Sequence, residues 1–279
     1  MYGLLGRKLG HSWSPPIHKA LGCEDYRLFE REPEELANFL SRTALGGLNV
    51  TIPYKRDVMA YCDVIDETAK AIGSVNTLVR LGDGRLMGDN TDAWGFDQLL
   101  ARVCPQIAGK KALVLGSGGA SATVQAILHL ADAEVVVISR SGEDNYDNLE
   151  RHADAAILVN TTPVGMYPHN GESPVALDRL PNLKAVLDLI YNPARTQLML
   201  DAMDRGIPCL GGLTMLVEQA RAAAERFTGK NQGSNGCQNR LCLCNDCLRL
   251  IFCGYFKHRN VVFWHYNRVN TSEIQTLFL

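Results

Sequence analysis

No stretch of about eighteen apolar residues occurs in this 279-residue sequence, which argues against a membrane-spanning helix. A charge surplus is also missing. Acidic and basic residues number 30 and 28, for a net charge of -2, so neither nucleic acid nor an anionic membrane is indicated as a partner. Internal repeats and low-complexity linkers are absent. Met1-Tyr2-Gly3-Leu4-Leu5-Gly6-Arg7 enters strand-like sequence with no basic leader, which points to the cytoplasm. Aromatic residues make up only 7%, but 46% hydrophobic and 21% charged residues fit a soluble globular chain. A chain of this length buries enough apolar surface to fold without metal or disulfide staples. Cys23, Cys62, Cys104 and Cys209 are scattered and read as buried thiols. The body of the chain shows no His/Cys/Asp spacing for a metal, and none is expected.

Short apolar strands alternating with amphipathic helices predict an α/β fold with a largely parallel sheet. In the first part, strands are expected at Tyr2–Leu5, Tyr26–Phe29 and Gly47–Ile52, with a hairpin joining Val75–Arg80 to Arg85–Met87. Helices are expected after Ser14-Pro15-Pro16, with the serine hydroxyl as cap, over Pro33–Leu40, and from about Lys55. A second α/β unit begins near Gly109, with strands at Lys111–Leu115, Glu134–Ile138, Ala155–Asn160 and Ala185–Leu189 and a helix over Ala120–Ala131. A long helix, Leu213–Phe227, stops at Gly229. The expected organisation is a substrate-binding domain at 1–95, rejoined by 213–229, and a Rossmann-like dinucleotide-binding domain at 96–212.

Gly116-Ser117-Gly118-Gly119-Ala120-Ser121 follows a strand and opens a helix, the setting in which glycines let a backbone approach a pyrophosphate. Ser121 stands where that fingerprint prefers Gly or Ala. Twenty residues on, the next strand ends in Ile138-Ser139-Arg140-Ser141. No carboxylate is present at that tip to accept a ribose hydroxyl, whereas an arginine with flanking hydroxyls suits a 2′-phosphate. The cofactor indicated is NADP.

Three segments of the first part bring polar groups to strand ends: His11-Ser12-Trp13-Ser14-Pro15, Asn49-Val50-Thr51-Ile52-Pro53-Tyr54-Lys55, and Asn76 with Gly88-Asp89-Asn90-Thr91-Asp92. Read singly they are ambiguous. Lys55 suits a surface position at a helix start, and Asp92 suits a cap for a helix beginning at Ala93. His11 and His18 have no nucleophile to serve and read as structural.

In this order, and followed by Asn160-Thr161-Thr162-Pro163, Asp188–Pro193 and Gly212–Gln219, these motifs resemble those of the shikimate dehydrogenase family over residues 2–229. The resemblance implies that Ser12 and Ser14 bind the substrate carboxylate, that Thr51, Asn76 and Gln219 bond ring hydroxyls, and that Tyr191 closes over the ring. It implies that Lys55 and Asp92 are the catalytic pair and that Gly116, Ser117, Gly118, Gly119 and Ala120 hold the pyrophosphate. Ser139 and Arg140 would take the 2′-phosphate, and Leu189 and Gly212 the nicotinamide end. The implied reaction is reversible reduction of 3-dehydroshikimate to shikimate with NADPH, in chorismate and aromatic amino acid biosynthesis, by a monomer or homodimer. Competing readings are an NAD-dependent quinate/shikimate dehydrogenase and a non-catalytic ligand sensor, which would be expected to lack Lys55 or Asp92. A methylene-tetrahydrofolate dehydrogenase shares the two-domain plan, but the serine pair and Gln219 suit a hydroxylated acid better.

Residues 230–279 depart from the family pattern. They hold six Lys or Arg against two acids and five of the cysteines, Cys237, Cys242, Cys244, Cys247 and Cys253. The cysteine spacing matches no standard zinc set. The segment reads as an atypical tail, non-native or of low order.

Overall fold

The structure is a computed structural model and describes residues 1–10, 12–42 and 44–229, Arg42 by its backbone alone. His11 and the tail 230–279, with its cysteine cluster, lie outside the described residues. In chain order the elements are β1 (Tyr2–Gly6), α1 (Ser14–Ala20), β2 (Tyr26–Glu30), α2 (Leu36–Arg42), β3 (Gly47–Val50), β4 (Val64–Ile65), α3 (Glu67–Ile72), β5 (Thr77–Arg80), β6 (Leu86–Asp89) and α4 (Thr91–Val103). They continue with β7 (Lys111–Leu115), α5 (Gly119–Leu130), β8 (Glu134–Ile138), β9 (Ile157–Asn160), β10 (Ala185–Asp188), α6 (Gln197–Asp204), β11 (Cys209–Gly211) and α7 (Leu213–Thr228).

These strands form two sheets. The second, in order β11-β10-β9-β7-β8, is wholly parallel. The chain winds outward in both directions from β7, so a switch point falls between β7 and β9, where open α/β sheets bind ligands. Its strands are apolar on both sides, as layered parallel sheets require. Ala112, Val114, Val159 and Leu187 face a core shared with Phe96 and Leu99 of α4 and Val124 and Leu128 of α5. Leu113, Leu115, Leu158 and Val186 face another with Leu177, Leu198 and Ala202.

The first sheet, in order β2-β1-β3-β5-β6-β4, is largely parallel as expected, with β5 alone reversed. β1 runs parallel to β2 and β3, and β4 parallel to β6, but the β5–β6 hairpin enters antiparallel to β3. This reversal places the site. In the register Leu4↔Asn49↔Thr77↔Asp89, the carboxyl ends of β1, β3 and β6 and the amino end of β5 all meet one edge. Polar motifs separated by up to eighty residues therefore open onto the same edge.

Several local expectations need correction. No helix starts at Lys55; turns follow Thr51, and only a 3₁₀ segment forms at Asp57–Tyr61, with Tyr54 and Val58 buried beneath it. Pro33–Leu40 divides into a 3₁₀ turn at Pro33–Glu35 and α2, because the Glu35 carboxylate accepts the Glu32 backbone N–H and closes the first turn separately. Ser14 does not cap α1. It occupies the first helical position, and the Ser12 hydroxyl oxygen accepts its N–H at 3.2 Å. Asp92 does not cap α4 either: Asn90 does, accepting the Ala93 N–H at 3.2 Å. The 213–227 helix is found as α7, and Gly229 ends it in the left-handed region at φ 64°.

α7 spans from the end of the second sheet back to the first. Gly95 of α4 allows the crossing to be close, since a Cβ there would lie 2.6 Å from the Met215 carbonyl oxygen. At its far end Phe227 stacks on Tyr2 and His18, and Tyr2 donates its hydroxyl to the Phe227 carbonyl. His18 is buried and stacked on Tyr26 with ring centroids 4.0 Å apart. Burial lowers its pKa from 6.5 to about 3, with Asn49 partly offsetting the effect. The fold thus accepts only the neutral ring. Above pH 6.5 this imposes no cost; as pH falls from 6.5 toward 3 the unfolded chain alone takes up the proton. Stability should then fall by about 1.4 kcal/mol per pH unit from this group. Urea unfolding at pH 7 and pH 5 should show that slope in the native chain, and His18→Leu should reduce it by the same amount.

Candidate functional site

At the shared edge of the first sheet, the Lys55 ammonium donates to Asp92 Oδ2 at 2.5 Å. Each side chain is held by its backbone. The Lys55 carbonyl accepts the Val75 N–H at 2.8 Å, fixing the segment after β3 against the start of β5. Asp92 lies in the first turn of α4, where the positive end of the helix favours a carboxylate. Both are partly buried, with 32% of the lysine side chain and 20% of the aspartate exposed, so the pair is wetted from one side only.

Asn76 adjoins them. It is 3% exposed, and its Oδ1 accepts from the Thr91 N–H at 2.7 Å, the Thr77 hydroxyl at 2.9 Å and the Thr91 hydroxyl at 3.2 Å. An obligate backbone donor at that oxygen sets the amide orientation. Asn76 therefore offers a ligand only its Nδ2 donors. Thr51 is tied to β1, donating its N–H to the Leu5 carbonyl at 2.9 Å. Ser12 and Ser14 sit half-buried after β1. Gln219 of α7 donates to the Leu216 carbonyl at 3.0 Å, and its Cβ borders Gly95, one helical turn beyond Asp92. Lys55, Asp92, Asn76, Thr51 and the serine pair thus issue from adjoining strand ends. Tyr191 lies in the second unit, 39% exposed, just beyond β10.

The second sheet presents a different surface at its switch point. Gly116 follows β7 at φ 100°, and a Cβ there would press on Thr161 Oγ1 and Thr162 Cγ2, both at 3.0 Å. Gly118 caps α5 without any side-chain bond, and around Gly118 and Gly119 a Cβ would meet nothing within 4 Å. The first turn of a twelve-residue helix is left open, with its N–H groups free for an anion. Ser121, which departs from the fingerprint, is buried and donates its hydroxyl to the Gly116 carbonyl at 2.7 Å, tying the turn shut from below. Ser117 and Ala120 are exposed beside the glycines. Beyond β8, Ser139 is half-buried, and Arg140 is exposed without an ion pair among the described residues. A loop with these properties fits a phosphorylated dinucleotide.

Leu189 and Gly212 are brought together. The Leu189 N–H donates to the Asn160 carbonyl at 3.0 Å, the Gly212 N–H to the Ile190 carbonyl at 3.0 Å, and a Cβ on Gly212 would lie 2.0 Å from the Leu189 carbonyl oxygen. Beneath them is a group that sequence reading did not single out. Asp188 is fully buried and accepts from Asn160 Nδ2 at 3.1 Å, the Ile190 N–H at 3.0 Å and the Thr196 hydroxyl at 2.6 Å. Burial raises its pKa against these three bonds. Asn49, Thr77, Thr91 and Asp89 were likewise missed as individuals. All are buried polar residues in or beside motifs already quoted, and an apolar strand interrupted by Asn or Thr was the available signal. Among the described residues no group of three or more His, Cys, Asp or Glu could hold a metal ion, and no helix is long and apolar enough to cross a membrane.

Known proteins share this layout. A profile of the shikimate dehydrogenase substrate binding domain matches residues 4–78. The NADP(+) shikimate dehydrogenase of Shouchella clausii is 38% identical over 269 residues, covering 87% of this chain and 95% of that protein. The chorismate mutase/shikimate 5-dehydrogenase fusion protein of Clostridium acetobutylicum superimposes with TM-score 0.80 at 36% identity, covering 90% of this chain and 96% of the other. Shikimate 5-dehydrogenase of Thermus thermophilus, solved in complex with NADP(H) and shikimate, gives TM-score 0.73 at 32% identity, covering 88% of this chain and 98% of the other.

Two glycine substitutions separate packing from ligand approach. Gly212→Ala forces a methyl into the Leu189 carbonyl and should cost about 3 kcal/mol of stability. Gly119→Ala meets open space in a helix and should leave stability within about 1 kcal/mol of native. Urea unfolding of the two variants checks both values.

Proposed function

The chain belongs to the shikimate dehydrogenase family, and we propose that it interconverts 3-dehydroshikimate and shikimate with NADP as redox partner, a step of aromatic amino acid biosynthesis. The observation that carries this reading is the Lys55–Asp92 pair beside an Asn76 that can only donate. A ketone being reduced gathers negative charge on its oxygen, and an ammonium held in place both stabilises that charge and supplies the proton. Asp92 keeps Lys55 oriented. In the oxidative direction the same pair removes the hydroxyl proton.

The remaining roles are those the family resemblance implies, and the shared sheet edge supports them. Ser12 and Ser14 bind the substrate carboxylate; Thr51, Asn76 and Gln219 bond the ring hydroxyls; Tyr191 closes over the ring. A polyol acid held by this many partners is discriminated strongly from analogues lacking a hydroxyl, because the site's polar groups would be left unpaired. Gly116, Ser117, Gly118, Gly119 and Ala120 would hold the pyrophosphate at the open turn of α5, Ser139 and Arg140 the 2′-phosphate, and the Leu189 and Gly212 backbones the nicotinamide. NADP bound there supplies the two-electron chemistry; the chain supplies position and the proton. Residues 1–95 with 213–229 form the substrate half and 96–212 the NADP half, α4 crossing between them. We place the enzyme in the cytoplasm as a monomer or homodimer.

An NAD-linked quinate/shikimate dehydrogenase is the nearest rival, and Arg140 at the tip of β8, where such an enzyme needs a carboxylate, favours NADP. Steady-state assays with shikimate or quinate and NADP+ or NAD+ decide between them. The native chain should prefer shikimate with NADP+. Lys55→Met should lose about a hundredfold or more of kcat while still binding shikimate, and Arg140→Ala should raise KM for NADP+ about tenfold with little effect on NAD+. Full turnover by Lys55→Met would remove Lys55 from the mechanism.

A further inference from the structure

The floor of the substrate half is polar where a core would ordinarily be apolar. Tyr26, Asn49, Thr77 and Thr91 are each less than a tenth exposed. They form a single run of hydrogen bonds. The Tyr26 phenol donates to Asn49 Oδ1 at 2.8 Å, Asn49 Nδ2 donates to Thr77 Oγ1 at 3.2 Å, and the Thr77 hydroxyl donates to Asn76 Oδ1 at 2.9 Å. There the Thr91 N–H also arrives, at the start of α4. At the other end α1, which begins at Ser14, meets the same phenol ring through His18, stacked on it with centroids 4.0 Å apart. The run joins β2, β3 and β5, passing over β1, which lies between β2 and β3.

Polar atoms buried in this number are costly unless every one is satisfied, and a satisfied run is stiff. Neither polar end of the Asn49 amide is left over, since one accepts from Tyr26 and the other donates to Thr77. His18, stacked flat on Tyr26, closes the run from the α1 side and is held neutral by burial. Donors point from Tyr26 toward Thr77, whose hydroxyl also lies 2.9 Å from Thr91 Oγ1, where either hydroxyl can donate. The two ends of the run are the helix carrying Ser14 and the helix turn carrying Asp92.

We propose that Tyr26 and Thr77 are positioning residues: through Asn49 and Asn76 they set the span between the serine anchor and the Lys55–Asp92 pair, and they hold Asn76 as a donor toward the substrate. This rests on the reading of Ser14, Asn76, Lys55 and Asp92 given above. A span fixed by hydrogen bonds rather than by apolar packing is sensitive to single atoms. Removing one hydroxyl lets Asn76 rotate or the α4 turn shift, and misplacement of about 1 Å in such a site costs on the order of a hundredfold in rate.

The test is a kinetic comparison of Tyr26→Phe, Thr77→Val and Thr77→Ser with the native chain, each assayed with shikimate and NADP+. Tyr26→Phe and Thr77→Val should lower kcat/KM for shikimate by about ten- to a hundredfold while KM for NADP+ stays within about twofold of native, since the NADP half is untouched. Thr77→Ser, which keeps the hydroxyl, should restore most of the loss. The double variant Tyr26→Phe/Thr77→Val should lose less than the product of the two single losses, because either break already interrupts the run. Native kcat/KM for shikimate in both single variants, or an equal loss toward shikimate and NADP+, overturns the proposal. So does a Thr77→Ser chain no better than Thr77→Val. If Thr77→Val fails to fold, Tyr26→Phe, which removes one oxygen, carries the test alone. Inactivity of the native chain toward shikimate is a separate result and counts against the functional reading itself.

Discussion

The ion pair between Lys55 and Asp92 is the contact on which the rest of the site depends. Neither residue is placed by its own side chain. Lys55 follows β3 and is pinned by its carbonyl to Val75, and Asp92 rides in the first turn of a helix capped by Asn90. The two meet because the β5–β6 hairpin reverses direction inside an otherwise parallel sheet and delivers the start of α4 to the carboxyl end of β3. Because β5 alone is reversed, its amino end, with Asn76 and Thr77, meets that same edge. Partial burial then matters: an ammonium and a carboxylate exposed to water on all sides would be screened and mobile, whereas these are shielded on one side and open on the other.

The surface at the second sheet is shaped largely by backbone. Gly116, Gly118 and Gly119 leave the first turn of α5 open, and Gly212 lets the entry to α7 lie against Leu189 at a separation no side chain permits. Asp188 ties the connecting loops together by accepting three bonds while buried, with no ion pair among the described residues. α4 and α7 join the two halves, and Arg226 of α7 bonds Asp89 directly beneath the site.

Much of this was legible in the residues. The strands of the second sheet, the glycine turn and α7 with its glycine stop follow from apolar runs and turn chemistry, which are local properties. What escaped the sequence was set by distant contacts. The reversal of β5 against β3, the short edge strands β4 and β11, and the identity of Asn90 as the cap all depend on pairing that no window of residues contains. Lys55 and Asp92 illustrate the difference: each read singly had an ordinary surface or capping role, and only the ordered set of motifs gave them a functional one. The buried polar run from Tyr26 to Thr91 was hidden for the same reason, since its members sit in four separate segments. Residues 230–279 lie outside the described residues, so the expectation of an atypical tail is not addressed by the fold.

The central claim is that Lys55 and Asp92 act as one unit. A double-mutant cycle on kcat for NADP+-linked shikimate oxidation, with Lys55→Met, Asp92→Asn and the double variant, tests it most directly. The account predicts that the double variant is about as slow as the slower single one, because removing either partner already disables the pair. Losses that multiply, each residue contributing independently of the other, would contradict it.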